Sequence, residues 1–226
     1  MLKISLLGVG LMGAPMSRRL LGAGHALTVW NRSPDKAQAL VAHGARLAPT
    51  PTQAVQEADL VITMLTDGHA VGQVLFGPAG DSAAQGLRPG TLVIDMSSIL
   101  PEEARAHAAK LSALGVASLD APVSGGTLGA EAGTLAIMAG GSTADFERAR
   151  QVLEVLGRPV HVGPIGSGQL TKLANQMIVG ITIGAVAEAL LLAEQGGADP
   201  AKVREALRGG FAESRIMPKA KPSTIP

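Results

Sequence analysis

Cysteine and tyrosine are both absent from the 226 residues. The first absence excludes disulfides, zinc ribbons and thiol catalysis, and the second excludes any mechanism with a tyrosine proton donor. Only four aromatics occur, Trp30, Phe76, Phe146 and Phe211, too few for a base-stacking platform. No charge of one sign dominates: 19 Lys and Arg against 18 Asp and Glu leave +1. No broad field therefore attracts nucleic acid or an anionic membrane. Long apolar runs are scarce as well. Met1–Leu7 is broken by Gly8, Gly10 and Gly13 before a signal-peptide core forms. Met177–Ala193 carries Thr182 and Glu188 and falls short of the ~20 apolar residues of a membrane span. It reads as a buried helix of a soluble, cytoplasmic protein. At 46% hydrophobic and 16% charged residues, the chain is a packed globular protein rather than a disordered one. No metal site is expected.

What is present is an alternation. Leu2–Leu7, Ala26–Trp30, Asp59–Met64, Thr91–Asp95, Val116–Asp120, Thr134–Ala139 and Pro159–Val162 are short apolar runs of the kind that form buried strands. Between them, Leu11–Leu21, Pro34–His43, Pro101–Leu114 and Thr143–Leu156 show helical spacing. This order predicts an α/β fold with a mostly parallel, doubly wound sheet covered on both faces. After Gly163 the pattern changes. Gly168–Glu194 contains no proline and predicts one long helix, followed by a shorter one at Pro200–Arg208. The expected domains are a nucleotide-type domain over 1–163 and, over 164–226, an interdomain helix with part of an all-α domain.

The 29 glycines are informative by their placement. Gly8-Val9-Gly10-Leu11-Met12-Gly13 lies between the first predicted strand and the first predicted helix. In a dinucleotide-binding turn, Gly8 permits the tight turn, Gly10 lets the backbone approach a pyrophosphate and Gly13 allows close helix–sheet packing. The helix N-terminus then offers its free N–H groups to the phosphates. The second strand ends in Asn31-Arg32-Ser33, with Asn31 eighteen residues after Gly13. An acid here would bind the ribose of NAD. An amide, a guanidinium and a hydroxyl instead suit a 2′-phosphate, favouring NADP with NAD as the alternative.

Two further stretches carry chemistry. Asp120-Ala121-Pro122-Val123-Ser124-Gly125-Gly126 follows a predicted strand. Its hydroxyl and unobstructed N–H groups suit a substrate carboxylate, although such a stretch is also an ordinary turn. On the long helix, Lys172 and Asn175 stand at i and i+3, on one face. A lysine there is either a surface group or a partly desolvated ammonium able to protonate a developing alkoxide.

Four blocks together resemble the β-hydroxyacid dehydrogenases: GVGLMGAPM at 8–16, DMSS at 95–98, DAPVSGGTLGAEAGTL at 120–135 and GSGQLTKLANQ at 166–176. This family includes 3-hydroxyisobutyrate dehydrogenases, 2-hydroxy-3-oxopropionate reductases and glyoxylate/succinic semialdehyde reductases. The resemblance implies a Rossmann-type NADP-binding domain. It also implies hydride transfer between NADP(H) and a small hydroxy acid or semialdehyde, and Lys172 argues against the related imine reductases, which usually carry another residue there. By resemblance, Gly8, Gly10, Leu11, Met12 and Gly13 line the pyrophosphate, and Asn31, Arg32 and Ser33 the adenosine phosphate. Met64 and Leu65 flank the cofactor, and Ser97 lies near the nicotinamide ribose. Ser124, Gly125 and Gly126 hold the substrate carboxylate. Lys172 is the general acid/base, and Asn175 orients substrate or lysine.

The chain departs from the family after Phe211. Members continue with several more helices, whereas here Met217–Pro226 is a Pro/Lys/Ser-rich tail without periodicity. The expectation is a C-terminally shortened member that forms a homo-oligomer. Its alternative is a weakly active or non-catalytic NADP-binding module.

Overall fold

The structure, a computed structural model, describes residues 1–77 and 81–214. The tail Met217–Pro226 lies outside the described residues. Two compact units divide the chain, Met1–Lys172 and Leu173–Pro226.

In the first unit, β1 (Lys3–Leu7), β2 (Ala26–Trp30), β3 (Arg46–Leu47), β4 (Leu60–Thr63), β5 (Leu92–Asp95) and β6 (Ala117–Asp120) lie parallel in the order β3-β2-β1-β4-β5-β6. The remaining strands, β7 (Val123–Ser124), β8 (Leu135–Gly140) and β9 (Gly157–Gly163), extend the far edge. There β8 runs antiparallel to β6 and β7, while β9 pairs parallel with β8. The expected doubly wound sheet is present, with this antiparallel step beyond what the alternation of apolar runs indicates.

Helices α1 (Gly13–Gly22), α2 (Asp35–Val41), α3 (Pro51–Val55), α4 (Gly68–Phe76), α5 (Pro101–Ser112), α6 (Gly126–Ala132) and α7 (Thr143–Leu156) connect the strands. Two apolar clusters fill the layers. One gathers Ile4, Leu6, Met16, Leu20, Ile62, Ile94 and Leu153; the other gathers Leu7, Val61, Val71, Val93, Ala104 and Leu111. Alternate residues of one strand thus enter opposite clusters, as the pleat requires of a sheet buried on both faces. Elements α3, α6, β3 and β7 are two to seven residues long, too short for periodicity to announce.

Helix α8 (Ser167–Gln195) begins in the first unit and continues into the second, where α9 (Pro200–Leu207) follows. Within the second unit, Val186 and Leu190 are buried against Val203 and Leu207. The buried helix expected from the sequence is met at Val186 and Leu190 and not on its other faces. Met177, Ile178, Ile181, Ile183 and Leu192 are exposed, because apolar residues cover most of the helix surface and, among the described residues of the unit, one short helix packs on it. By length and composition α8 is also apolar enough to cross a membrane, a property shared with core helices of soluble proteins.

Candidate active site

The chain leaves β1 toward β2 on one side and reaches β4 on the other. This reversal makes the crevice beyond the carboxyl ends of β1 and β4 the ligand site of an open α/β sheet. Gly8 sits at the end of β1 with φ +108°, and a Cβ there would come within 2.3 Å of the Met64 carbonyl oxygen. A Cβ on Gly13 would come within 2.0 Å of the Gly8 carbonyl oxygen, whereas one on Gly10 would meet nothing within 4 Å. Two of the glycines therefore serve chain packing, and the third faces open space. No side chain caps the start of α1, and no acid stands in its first turn. A turn with that opening, backed by a bare helix N-terminus, fits a dinucleotide pyrophosphate.

Asn31 braces this turn. Its Oδ1 accepts from the Val9 N–H at 2.9 Å, and its Nδ2 donates to the Ser33 carbonyl at 2.9 Å. Arg32 and Ser33 are exposed beside it. The amide thus ties the glycine turn to the end of β2 and leaves the guanidinium and hydroxyl open to solvent.

At the ends of β4 and β5, Met64 and Leu65 are half-buried and Ser97 is fully buried. The Leu65 N–H donates to Ser97 Oγ at 2.9 Å. Beneath them, Asp95 accepts at Oδ1 from Thr63 Oγ1 at 2.7 Å and from the Ser97 N–H at 3.0 Å. Its Oδ2 and Nδ1 of His107 have no partner among the described residues. Asp95 and His107 line a shared cavity of about 20 Å³. Burial pushes the Asp95 carboxyl up to about 6, against the bonds from Ser97 and Thr63 that pull it down. The folded state therefore holds a proton that the unfolded chain releases near pH 4, so stability falls between about pH 4 and pH 6, by about 3 kcal/mol. Asp95→Asn keeps the Oδ1 contacts without the charge. It is expected to raise stability at pH 7 and to flatten the slope between pH 4 and 6 in urea titrations; an unchanged slope would show that Asp95 is not its source.

Ser124 closes β7, and Gly125 and Gly126 take φ +135° and +64° into α6. Backbone of that shape is open to glycine and strained for other residues. Lys172 Nζ donates to the Val123 carbonyl, next to Ser124, at 2.8 Å. It is half-buried, and burial lowers its pKa below the ordinary lysine value. Asn175 belongs to the second unit, where its Nδ2 donates to Gln176 Oε1 at 3.0 Å. Two buried polar residues not singled out in the sequence also stand here. Asp120 accepts from the N–H groups of Gly166 and Gln169 at 2.7 and 2.8 Å. The Gln169 side chain accepts from Ile99 N–H at 3.1 Å and donates to the Ser97 carbonyl at 2.8 Å. An ionisable residue closing each of two neighbouring buried strands, Asp95 opposite Asp120, is the sequence signal for Asp120; Gln169 has none.

Residues 3–166 match the family model described as the NAD binding domain of 6-phosphogluconate dehydrogenase. Residues 166–226 match that described as the NAD-binding of NADP-dependent 3-hydroxyisobutyrate dehydrogenase. The chain is 46% identical over 217 residues to a 2-hydroxy-3-oxopropionate reductase of Escherichia coli (strain K12), covering 96% of this chain and 73% of the relative. The chain belongs to the β-hydroxyacid dehydrogenase family. A 3-hydroxyisobutyrate dehydrogenase of Pseudomonas aeruginosa is 43% identical over 209 residues, covering 92% of this chain and 70% of its own. Among solved structures, the Mycobacterium tuberculosis 3-hydroxyisobutyrate dehydrogenase with L-serine superposes with a TM-score of 0.88 at 39% identity, covering 98% of this chain and 76% of that one. As a β-hydroxyacid dehydrogenase, this chain carries an NAD(P)-binding domain, in agreement with the glycine turn at the end of β1.

Proposed function

We propose that this β-hydroxyacid dehydrogenase is an NADP-dependent oxidoreductase that interconverts a small hydroxy acid and its semialdehyde or keto acid. The substrate class follows the 3-hydroxyisobutyrate, tartronate semialdehyde or glyoxylate type. The observation that carries this reading is the half-buried Lys172 ammonium at 2.8 Å from the Val123 carbonyl, beside Ser124, Gly125 and Gly126. Residues 1–163 hold the nucleotide, and the described residues after 163 supply a linking helix and an all-α segment.

The nicotinamide, when bound, supplies or accepts the hydride. Gly8, Gly10, Leu11, Met12 and Gly13 would cradle the pyrophosphate of the dinucleotide, Met64 and Leu65 would flank the cofactor, and Ser97 would serve its ribose. Ser124 and the Gly125 and Gly126 N–H groups orient the substrate carboxylate. In reduction, Lys172 gives a proton to the carbonyl oxygen; in oxidation, its neutral amine takes the hydroxyl proton. One of its N–H bonds holds Val123, leaving others to reach the substrate. Asn175, one turn along α8, orients substrate or lysine.

NADPH oxidation with tartronate semialdehyde, methylmalonate semialdehyde, succinic semialdehyde and glyoxylate tests the reading. Turnover with one of them supports it. Tight NADPH binding without turnover on any would indicate a cofactor-binding module. Within this reading Arg32 selects the nucleotide while Asn31 shapes the turn for both. Arg32→Ala is expected to weaken NADPH on the order of tenfold and leave NADH unchanged, the loss of one charge-assisted contact. Asn31→Ala is expected to weaken both equally. Fluorescence titration of each nucleotide checks the pair, and equal affinities in the wild type would remove the argument for NADP.

The exposed face of α8 supports self-association of a soluble, cytoplasmic protein, since apolar patches of this extent rarely stay open on a monomer. Sedimentation is expected to show a homo-oligomer, shifted toward monomer by Ile178→Lys with Ile181→Lys. A wild-type monomer at micromolar concentration, or flotation with liposomes, would count against it.

A further inference from the structure

We infer that Asp120 and Gln169 are positioning residues for Lys172: they fix the first turn of α8 onto the ends of β5 and β6 and thereby set where the ammonium stands. The inference rests on the proposed role of Lys172 in proton transfer.

Three helix starts elsewhere in the first unit, those of α3, α4 and α7, are capped by the side chain of the residue just before them. Thr50, Asp67 and Ser142 each accept an N–H of the turn that follows. The start of α8 differs. Its N–H groups at Gly166 and Gln169 are taken by the two carboxylate oxygens of Asp120, 46 and 49 residues away in sequence. A local cap satisfies the N–H groups equally well, but it moves with its helix. A carboxylate at the end of a central strand also fixes where the helix begins, and its charge complements the helix dipole.

Backbone packing makes the same attachment. A Cβ on Gly168 would come within 2.3 Å of the Met138 carbonyl oxygen and 2.4 Å of the Asp120 carbonyl oxygen. One on Gly140 would come within 2.5 Å of Asp120 Oδ1 and 2.8 Å of the Gly168 nitrogen. Bare backbone at both positions lets the helix start lie directly on the strand ends. Gln169, 1% exposed, then ties the turn to a second segment through Ser97 and Ile99. Lys172 follows Gln169 by three residues, close to one helical turn. Its Nζ returns to the Val123 carbonyl, three residues after Asp120. The segment Asp120–Val123 thus grips the helix at its start and the lysine at its tip. A small tilt of the first turn displaces the ammonium, and a misplacement of about 1 Å costs on the order of 10²-fold in rate.

The test is a double-mutant cycle on the full chain, pairing Asp120→Asn with Lys172→Ala, with two readouts that need no turnover. Those are amide hydrogen exchange at Gly166 and Gln169, and the rate of Lys172 acetylation by acetic anhydride followed by mass spectrometry. In Asp120→Asn, whose side-chain amide can accept only one of the two N–H bonds, exchange at the amide left without an acceptor and acetylation of Lys172 are expected to rise severalfold while NADPH affinity holds. Its kcat is expected to fall about 10- to 100-fold, and the same change in the Lys172→Ala background to cost nothing further. Gln169→Met, which keeps the volume and removes both side-chain bonds, is expected to repeat the rise in acetylation and the fall in kcat and decides the matter if Asp120→Asn does not fold. Wild-type acetylation in a folded variant would overturn the inference, as would a loss that multiplies undiminished in the Lys172→Ala background. So would failure of both variants to fold, which would make the pair part of the core. Full turnover in Lys172→Ala alone would instead remove the proposed role of Lys172, and this inference with it.

Discussion

Replacing Lys172 by alanine is expected to lower turnover by a factor on the order of 10²–10⁴, the contribution of a positioned acid or base, with nucleotide binding nearly unchanged. The two effects separate because Lys172 bonds to the Val123 carbonyl, away from the glycine turn at the end of β1 that is assigned to the pyrophosphate. The pH dependence gives a second signature. Burial lowers the Lys172 pKa from its ordinary 10.5, so the amine becomes available at lower pH than for a solvated lysine. Reduction needs the ammonium and is expected to decline as pH rises through that pKa. Oxidation needs the neutral amine and is expected to increase through the same value. Both limbs vanish in Lys172→Ala if the lysine is their source. A variant that keeps more than about a tenth of wild-type turnover, well short of the usual acid/base contribution, would place the proton elsewhere.

Much of the scaffold was legible because its strands are continuous apolar runs buried on both faces. Ile4, Leu6 and Leu7 on β1 and Leu60, Val61 and Ile62 on β4 are all buried, and such runs announce a parallel sheet by themselves. The glycine turn was legible for a similar reason, since Gly8 and Gly13 meet backbone at distances no side chain tolerates. Long-range polar ties were not. Nothing in the local pattern around Asp120 shows that its carboxylate meets Gly166 and Gln169, because hydrogen-bond partners so distant in sequence are set by the fold. The surroundings of α8 were legible only in part for a related reason. Its composition gives an apolar surface, and composition carries no information on what covers it. Asn31 shows an intermediate case. Its place at the end of β2 was evident, but its bond to the Val9 N–H makes it a brace for the turn as well as a neighbour of the adenosine site.

Alanine at Gly8 and alanine at Gly10 are expected to fail in opposite ways, although the two glycines stand two residues apart in one turn. At Gly8 the backbone holds φ +108°, and a Cβ would lie 2.3 Å from the Met64 carbonyl oxygen and 2.8 Å from the Leu65 side chain. The oxygen belongs to backbone at the end of a central strand and cannot move aside without parting β1 from β4. Strain and overlap together are expected to cost at least about 4 kcal/mol, at the severe end for a single substitution. Against a typical domain stability of about 5–15 kcal/mol, the chain would be left marginal or unfolded. At Gly10 the φ is not positive and a Cβ meets no atom within 4 Å. Stability there is expected to hold or to rise by a few tenths of a kcal/mol, through reduced freedom of the unfolded chain. The added methyl instead occupies the space left for the pyrophosphate, where backbone N–H groups must approach closely. NADPH and NADH are both expected to bind more weakly by about tenfold or more, the equivalent of roughly 1.4 kcal/mol. Thermal unfolding and nucleotide titration on the two variants separate the cases. Wild-type nucleotide affinity in Gly10→Ala would mean that the phosphates bind elsewhere than over this turn.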